Sequence, residues 1–342
     1  MRAAVVHEPN RITIDDVPEP EPGPNEVVVA VKANGICGSD LHLLDGEWSF
    51  VQYPVIPGHE FSGEIVEVGP GVDANLVGQR VAVDPVVGCS TCDHCTSGRV
   101  NLCRTLGAYG ATRPGGSAER CVVGVQNLVP LPESLPFEAA AVAQPLACAL
   151  HALNRVPQVP AQRVLVVGGG AAGLLLAQAV RASGASFVAV CEPVAARREV
   201  AARLDVDEIF QNIDEAVETH PEKFSLVIDA TGKASVLPSS LEAADTGGTL
   251  LLFSVCAQGE TASIEPVKLY ERELTIVGSR GMNSTSVPAL ELLSSGQVKW
   301  EPLVTDQHNL DDLANALGRL RRHEGIKALT MCESPTISQR GS

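Results

Sequence analysis

The sequence predicts an α/β protein in two parts, a β-rich half and a doubly wound parallel sheet of the dinucleotide-binding kind. Three observations carry this. Short apolar runs broken by glycine and proline fill the first 130 residues. From residue 163 onward, strand-like and helix-like segments alternate. Where that alternation begins, Val164-Leu165-Val166-Val167 runs straight into Gly168-Gly169-Gly170-Ala171-Ala172-Gly173.

The elements follow in order. Val27, Val29 and Val31 alternate with Val28, Ala30 and Lys32, and residues 61–68 and 80–83 are further apolar runs between turn residues. Strands so spaced predict a small barrel or folded sheet. Residues 138–154 are rich in Ala and Leu and predict a helix. Pro145 inside it removes one backbone hydrogen bond and predicts a kink, a natural junction between domains. Strands are expected at 164–167, 187–191, 208–210, 226–228, 249–253 and 274–277, with helices at 171–182 and 194–204. Beyond residue 281 come a helix near 287–293, another near 310–322, and a last strand at 326–331. The expected division is one domain from 1–148 and 282–342, and a dinucleotide-binding domain from 149–281.

Composition narrows the function classes. With 45% hydrophobic and 19% charged residues, the 342-residue chain has material for a core and is not a disordered sequence. No apolar run approaches the roughly 18–20 residues of a membrane span. The net charge of -16 argues against non-specific nucleic-acid binding and against an anionic membrane surface. The N-terminus shows no apolar stretch behind a basic start, so no secretory signal is expected. Four of ten cysteines crowd between positions 89 and 103, which suits metal ligation better than a disulfide framework and implies the reducing cytoplasm.

Three motifs carry chemistry. In the glycine-rich turn, Gly168 allows the tight bend, Gly170 lets backbone approach a pyrophosphate, and Gly173 lets the helix pack close to its strand. Glu192, about 20 residues on and at the end of the second strand, is placed to accept hydrogen bonds from a ribose 2′-hydroxyl and to repel a 2′-phosphate. That favours NAD over NADP, while Arg197 and Arg198 close behind leave NADP as the alternative and make Arg197 a candidate cofactor contact. Cys89, Cys92, Cys95 and Cys103 can surround one tetrahedral zinc and leave no open position, with His94 a solvated loop residue. Cys37 and His59 are more dispersed. They read either as two ligands of an open metal site or as a buried cysteine and an unrelated surface histidine.

Gly35-Ile36-Cys37-Gly38-Ser39-Asp40-Leu41-His42, Gly58-His59-Glu60, the four-cysteine lobe, the Gly168 turn and Gly278-Ser279 together resemble the zinc-dependent medium-chain alcohol dehydrogenases, end to end. Within that family, Cys37 to His42 and Gln144-Pro145-Leu146 resemble the polyol (sorbitol-type), threonine and sugar dehydrogenase branch. The resemblance implies a GroES-like catalytic domain, a Rossmann domain, two Zn2+ per chain and NAD. Cys37 and His59 match catalytic zinc ligands, and Glu60 matches a glutamate that can bind the metal directly. Gln144 stands where sorbitol enzymes have glutamate and is, by that resemblance, a further candidate ligand of the catalytic zinc. Ser39 matches the hydroxyl that takes the alcohol proton, His42 a later relay histidine, and Asp40 a carboxylate that orients His59. The four clustered cysteines match the structural zinc set, and Cys148 reads as core.

The expected reaction is hydride transfer between a secondary alcohol and NAD(H), with a polyol, sugar, cyclitol or hydroxy amino acid as substrate. Trp48, Phe50, Tyr109, Arg113 and Arg280 are candidate cleft residues. The family also implies a homodimer or homotetramer, associating near residues 275–278. The alternative from a different class is a non-catalytic protein that binds nucleotide and zinc. The retention of Cys37, His59, Glu60, Ser39 and Glu192 argues against it.

Overall fold

The computed structural model describes residues 1–157 and 161–332. The described residues divide into two compact units, residues 1–144 with 304–332, and residues 145–303. The chain returns to the first unit at Val304 and not near 282 as expected from the sequence. The intervening segment is bound into the second unit. Thr285 Oγ1 donates to Ala147 O, and Gln178 exchanges hydrogen bonds with the backbone of Lys299.

In the first unit, seven strands make one sheet. Its path runs Val304–Asn309, Lys327–Met331, Glu26–Gly35, Glu60–Val68, Arg80–Val83 and Leu128–Pro130, and Arg120–Gly124 also pairs with Glu26–Gly35. All neighbours are antiparallel except the first two. Val27, Val29, Val31, Phe61, Ile65, Val81 and Val123 close its main core. This is the folded sheet that the valine alternation predicts. The strand Val304–Asn309 carries Thr, Asp, Gln and His and has no apolar alternation to announce it.

The second unit holds six parallel strands in the spatial order Glu208–Phe210, Phe187–Cys191, Arg163–Val167, Phe224–Asp229, Ala244–Leu252 and Thr275–Gly278. Numbered along the chain that order is 3-2-1-4-5-6, the doubly wound dinucleotide-binding topology. Leu165, Val167, Ala189, Val227 and Leu250 bury one face of it. The helix Ala171–Ala182 follows the first strand, as expected. The helix Ala195–Ala201 is shorter than the expected 194–204 because Val194 is its extended N-cap. The helix Phe137–Leu153 runs across the boundary between the units with Pro145 inside it. Among the described residues no helix is long and apolar enough to cross a membrane.

Candidate active site

Cys37 stands at the N-cap of the short helix Gly38–Leu44, and Asp40 is its third residue. One carboxylate therefore serves two neighbours: Asp40 Oδ2 accepts from Cys37 N at 2.8 Å, and Oδ1 lies 3.4 Å from His59 Nδ1. The second contact fixes the ring so that Nε2 points the other way, where Ser39 Oγ lies 3.3 Å off. Burial alone would disfavour a charged His59, but Asp40, helped by Cys37, outweighs it and holds the ring well above the ordinary histidine value. Glu60 follows at the start of its strand and is fully buried. Ligand atoms of Cys37, His59 and Glu60 all lie within 4.8 Å of one another.

This set fits a zinc ion. It offers a thiol, an imidazole nitrogen and a carboxylate, three protein ligands such as an open zinc site uses. One observation makes the fit specific: Glu60 Oε1 is buried and has no hydrogen-bond partner among the described residues. A buried carboxylate oxygen without a donor is costly unless a cation meets it. Gln144 is half-buried in the helix Phe137–Leu153, directly before Pro145. His42 is paired elsewhere. Its Nδ1 meets Glu47 Oε2 at 2.6 Å, and its ring stacks at 6.3 Å on Trp48, which stacks in turn on Phe50. Among the described residues no hydrogen bond joins His42 to Ser39 directly.

The four-cysteine lobe is compact. Cys89 Sγ and Cys95 Sγ are 4.0 Å apart, and Cys92 Sγ and Cys103 Sγ are 3.9 Å apart. A zinc–sulfur bond of about 2.3 Å gives a tetrahedron with edges of about 3.8 Å, so one ion fits between them. Hydrogen bonds from Thr91, and from the backbone amide of Cys92, hold the Cys89 thiol down to about 5. Desolvation and the neighbouring thiols push Cys95 up to about 12. Thiols this close resist joint ionisation without a cation. Between residues 88 and 104 only Asn101 and Cys103 are buried, so the lobe has almost no core of its own. His94 is half-buried within it, not a fully solvated loop residue.

In the second unit the strand Arg163–Val167 enters the glycine turn. Gly168 has φ +105°, which other residues avoid, and a Cβ on Gly173 would overlap Gly168 O. Glu192 is buried, with Oε2 accepting from Gly169 N at 2.7 Å and Oε1 from Val194 N at 2.8 Å. Arg197 Nη1 reaches to 4.0 Å from where a Cβ on Gly170 would stand. Arg198 Nη1 donates to the carbonyls of Glu192 and Pro193, each at 2.8 Å.

Several expectations need correction. Tyr109 is core, 2% exposed, with its hydroxyl accepting from Gly124 N, so it lines no cleft. Cys148 is half-buried and not fully in the core. Trp48 and Arg280 are half-buried and exposed respectively, Phe50 is 56% exposed, and Arg113 stacks its guanidinium over Tyr109. One functional neighbour escaped sequence reasoning. Lys327, on the last strand, is buried and its ammonium pairs with Glu60 Oε2. A lysine starting an apolar strand gives no sign of a partner 267 positions away.

A thiol–imidazole–carboxylate centre, a four-thiol lobe and a dinucleotide turn on one chain define a zinc- and nucleotide-dependent oxidoreductase. Known proteins agree. The alcohol dehydrogenase GroES-like domain family matches residues 23–133, and the zinc-binding dehydrogenase family matches residues 171–295. The D-altritol 5-dehydrogenase of Agrobacterium fabrum is 34% identical over 92% of this chain and 94% of its own length. Among solved structures, a zinc-binding dehydrogenase from Sinorhizobium meliloti bound to NADP superposes with a TM-score of 0.92, at 33% identity, over 96% of this chain and 98% of the other. The rspB alcohol dehydrogenase of E. coli CFT073 in complex with NADH superposes at 0.91, with 30% identity, over 97% and 99%. The chain belongs to the zinc-dependent medium-chain alcohol dehydrogenase family, in its polyol branch, and is an oxidoreductase that works with zinc and a nicotinamide cofactor.

Proposed function

We propose that the enzyme oxidises a secondary alcohol of a polyol or related sugar with NAD. Zinc would be held by Cys37, His59 and Glu60, with Gln144 as a neutral neighbour, and a second zinc by Cys89, Cys92, Cys95 and Cys103. The observation that carries the reading is the convergence of Cys37, His59 and Glu60, whose buried Oε1 accepts no hydrogen bond among the described residues, with Ser39 Oγ 3.3 Å from His59 Nε2.

Oxidation removes a proton from the hydroxyl and a hydride from its carbon. Zinc, when bound, polarises the alcohol oxygen, and the oxidised nicotinamide accepts the hydride. The chain's own residues do the rest. Ser39 takes the hydroxyl proton, since its oxygen lies 3.3 Å from His59 Nε2, beside the ligand cluster. His42, fixed at Nδ1 by Glu47, has Nε2 left to receive that proton further out. Asp40 keeps Cys37 and His59 in register. Gly168, Gly170 and Gly173 shape the turn for the pyrophosphate, with Arg197 beside it. Glu192 selects NAD, because a 2′-phosphate would meet its carboxylate while Arg198 is engaged on backbone carbonyls.

None of the ten cysteines is in a disulfide, which suits a cytoplasmic enzyme. The strand Thr275–Gly278 is the sheet's edge, with exposed Val267 and Tyr270 on the preceding helix, and supports association into a dimer or tetramer. Light scattering reading a monomer would refute that association.

The direct test is NADH formation at 340 nm across a panel of polyols, sugars and simple secondary alcohols, with NAD and NADP side by side. Turnover of polyols with NAD, and two zinc ions per chain by elemental analysis, are expected. Preference for NADP, or one zinc in fully active protein, overturns the corresponding part.

A further inference from the structure

The Glu60 carboxylate has two unlike ends. Oε1 is buried and accepts no hydrogen bond among the described residues, and the carboxylate lies with the ligand atoms of Cys37 and His59. Oε2 is paired with the ammonium of Lys327, which also donates to Ile36 O at 2.9 Å. Both residues are almost wholly shielded, Glu60 at 0% exposure and Lys327 at 4%.

Sheet topology explains how they meet. The strands of Lys327 and Glu60 are not neighbours but flank Glu26–Gly35 on either side. Gly35 pairs with Glu60 on one side and with Leu329 on the other. The lysine stem crosses this strand at Gly35. A Cβ there would overlap Glu60 Oε2 and stand 3.0 Å from Lys327 Cε. The missing side chain at Gly35 is the passage through which the ammonium reaches the carboxylate.

We propose that Lys327 is a positioning residue that restrains Glu60, so that the carboxylate meets the zinc through Oε1 alone and can be displaced from it. This rests on the reading of Cys37, His59 and Glu60 as zinc ligands. The physical reason is competition. A buried carboxylate needs a cation, and here the fixed ammonium supplies one. With the ammonium removed, no other cation among the described residues pairs with Glu60, and the carboxylate closes on the metal. Zinc is then held longer, and the carboxylate contests the position the alcohol needs.

The test uses the zinc-loaded enzyme and its cobalt(II)-substituted form. Lys327→Met should slow transfer of the Cys37-bound zinc to a chromophoric chelator by about tenfold, the scale of changes around a metal's ligands. The cobalt visible band should weaken as coordination number rises. The KM for alcohol should increase while the KM for NAD stays near the native value. Lys327→Arg, which keeps the charge, should restore native behaviour. In a Glu60→Gln background, Lys327→Met should no longer change the release rate. Lys327→Gln keeps a donor for Ile36 O and reads the same quantities should the methionine variant fail to fold. Native release and spectrum in the neutral variants, or an effect that persists without the Glu60 carboxylate, overturns the proposal. A native enzyme showing no Cys37-dependent cobalt band overturns the zinc site itself, and that outcome is distinct from a normal band whose release rate Lys327 does not move.

Discussion

Replacing Glu192 with alanine should separate two roles of one carboxylate. In the structure Glu192 takes hydrogen bonds from Gly169 N at 2.7 Å and Val194 N at 2.8 Å. Removing it strands the Gly169 amide, which is buried, whereas Val194 is 39% exposed and its amide can turn to water. One buried donor without an acceptor costs about 1–3 kcal/mol. For a unit of this size that lowers Tm by about 2–4 °C per kcal/mol. The same substitution removes the proposed charge-assisted bond to the ribose, about 1.5–3 kcal/mol, so the Kd for NAD should rise about 10- to 150-fold. NADP should gain little. Repulsion is gone, but Arg198 remains held on the carbonyls of Glu192 and Pro193 and is not released to meet a phosphate. The gap between cofactors therefore narrows mainly by loss of NAD. Titrating both cofactors by fluorescence, with a thermal melt of the apoprotein, reads all three quantities. An unchanged Kd for NAD, or NADP rising to the native affinity for NAD, would refute the reasoning.

Three further outcomes follow from named contacts. Cys103→Ser should lower bound zinc by one ion and cut stability sharply, because the lobe from 88 to 104 has only Asn101 and the cysteine itself buried; metal analysis with a thermal melt checks it, and full zinc content would count against it. Gln144→Glu should slow zinc loss to a chelator if the residue faces the metal, and identical loss and pH–rate profiles would place it elsewhere. Burial lowers the pKa of His308, with Arg319 adding and Asp306 opposing. The folded state then binds fewer protons than the unfolded chain just below the ordinary histidine value of about 6.5. His308 should cost no stability above that pH and an increasing amount as pH falls through the window beneath it. A urea series across pH 5–8 should show this slope in the native protein and a shallower one in His308→Gln; equal slopes would be the contrary result.

The parallel sheet was legible because burial on both faces leaves near-continuous apolar runs, and Val164-Leu165-Val166-Val167 is such a run. The four cysteines were legible because their ligand spacing is local, within 15 positions. Asp40 was half legible. A carboxylate three residues after an N-cap is a capping signature, but that it also orients His59 depends on where a distant strand lies. Tyr109 misled because an aromatic with a hydroxyl reads equally as a cleft wall or as core, and only the buried amide of Gly124 decides. The return point at Val304 was hidden because its strand alternates exposed polar with half-buried residues.

Lys327 shows why the rest was not there to be read. Its meaning depends on three strands meeting in one order, with a residue of no side chain in the middle. Neither Gly35, Glu60 nor Lys327 is unusual in its own segment. A glycine before Ile36-Cys37 reads as a turn, a glutamate after His59 as a ligand, and a lysine before Ala328-Leu329 as a strand's solvent end. The sheet inverts the last of these, burying the lysine at 4% exposure and so requiring a counter-charge. That requirement links the metal centre to the C-terminal strand of the unit. Substitutions at Gly35, which has no side chain of its own to offer the chemistry but abuts the Glu60 carboxylate, should accordingly disturb metal retention through that carboxylate.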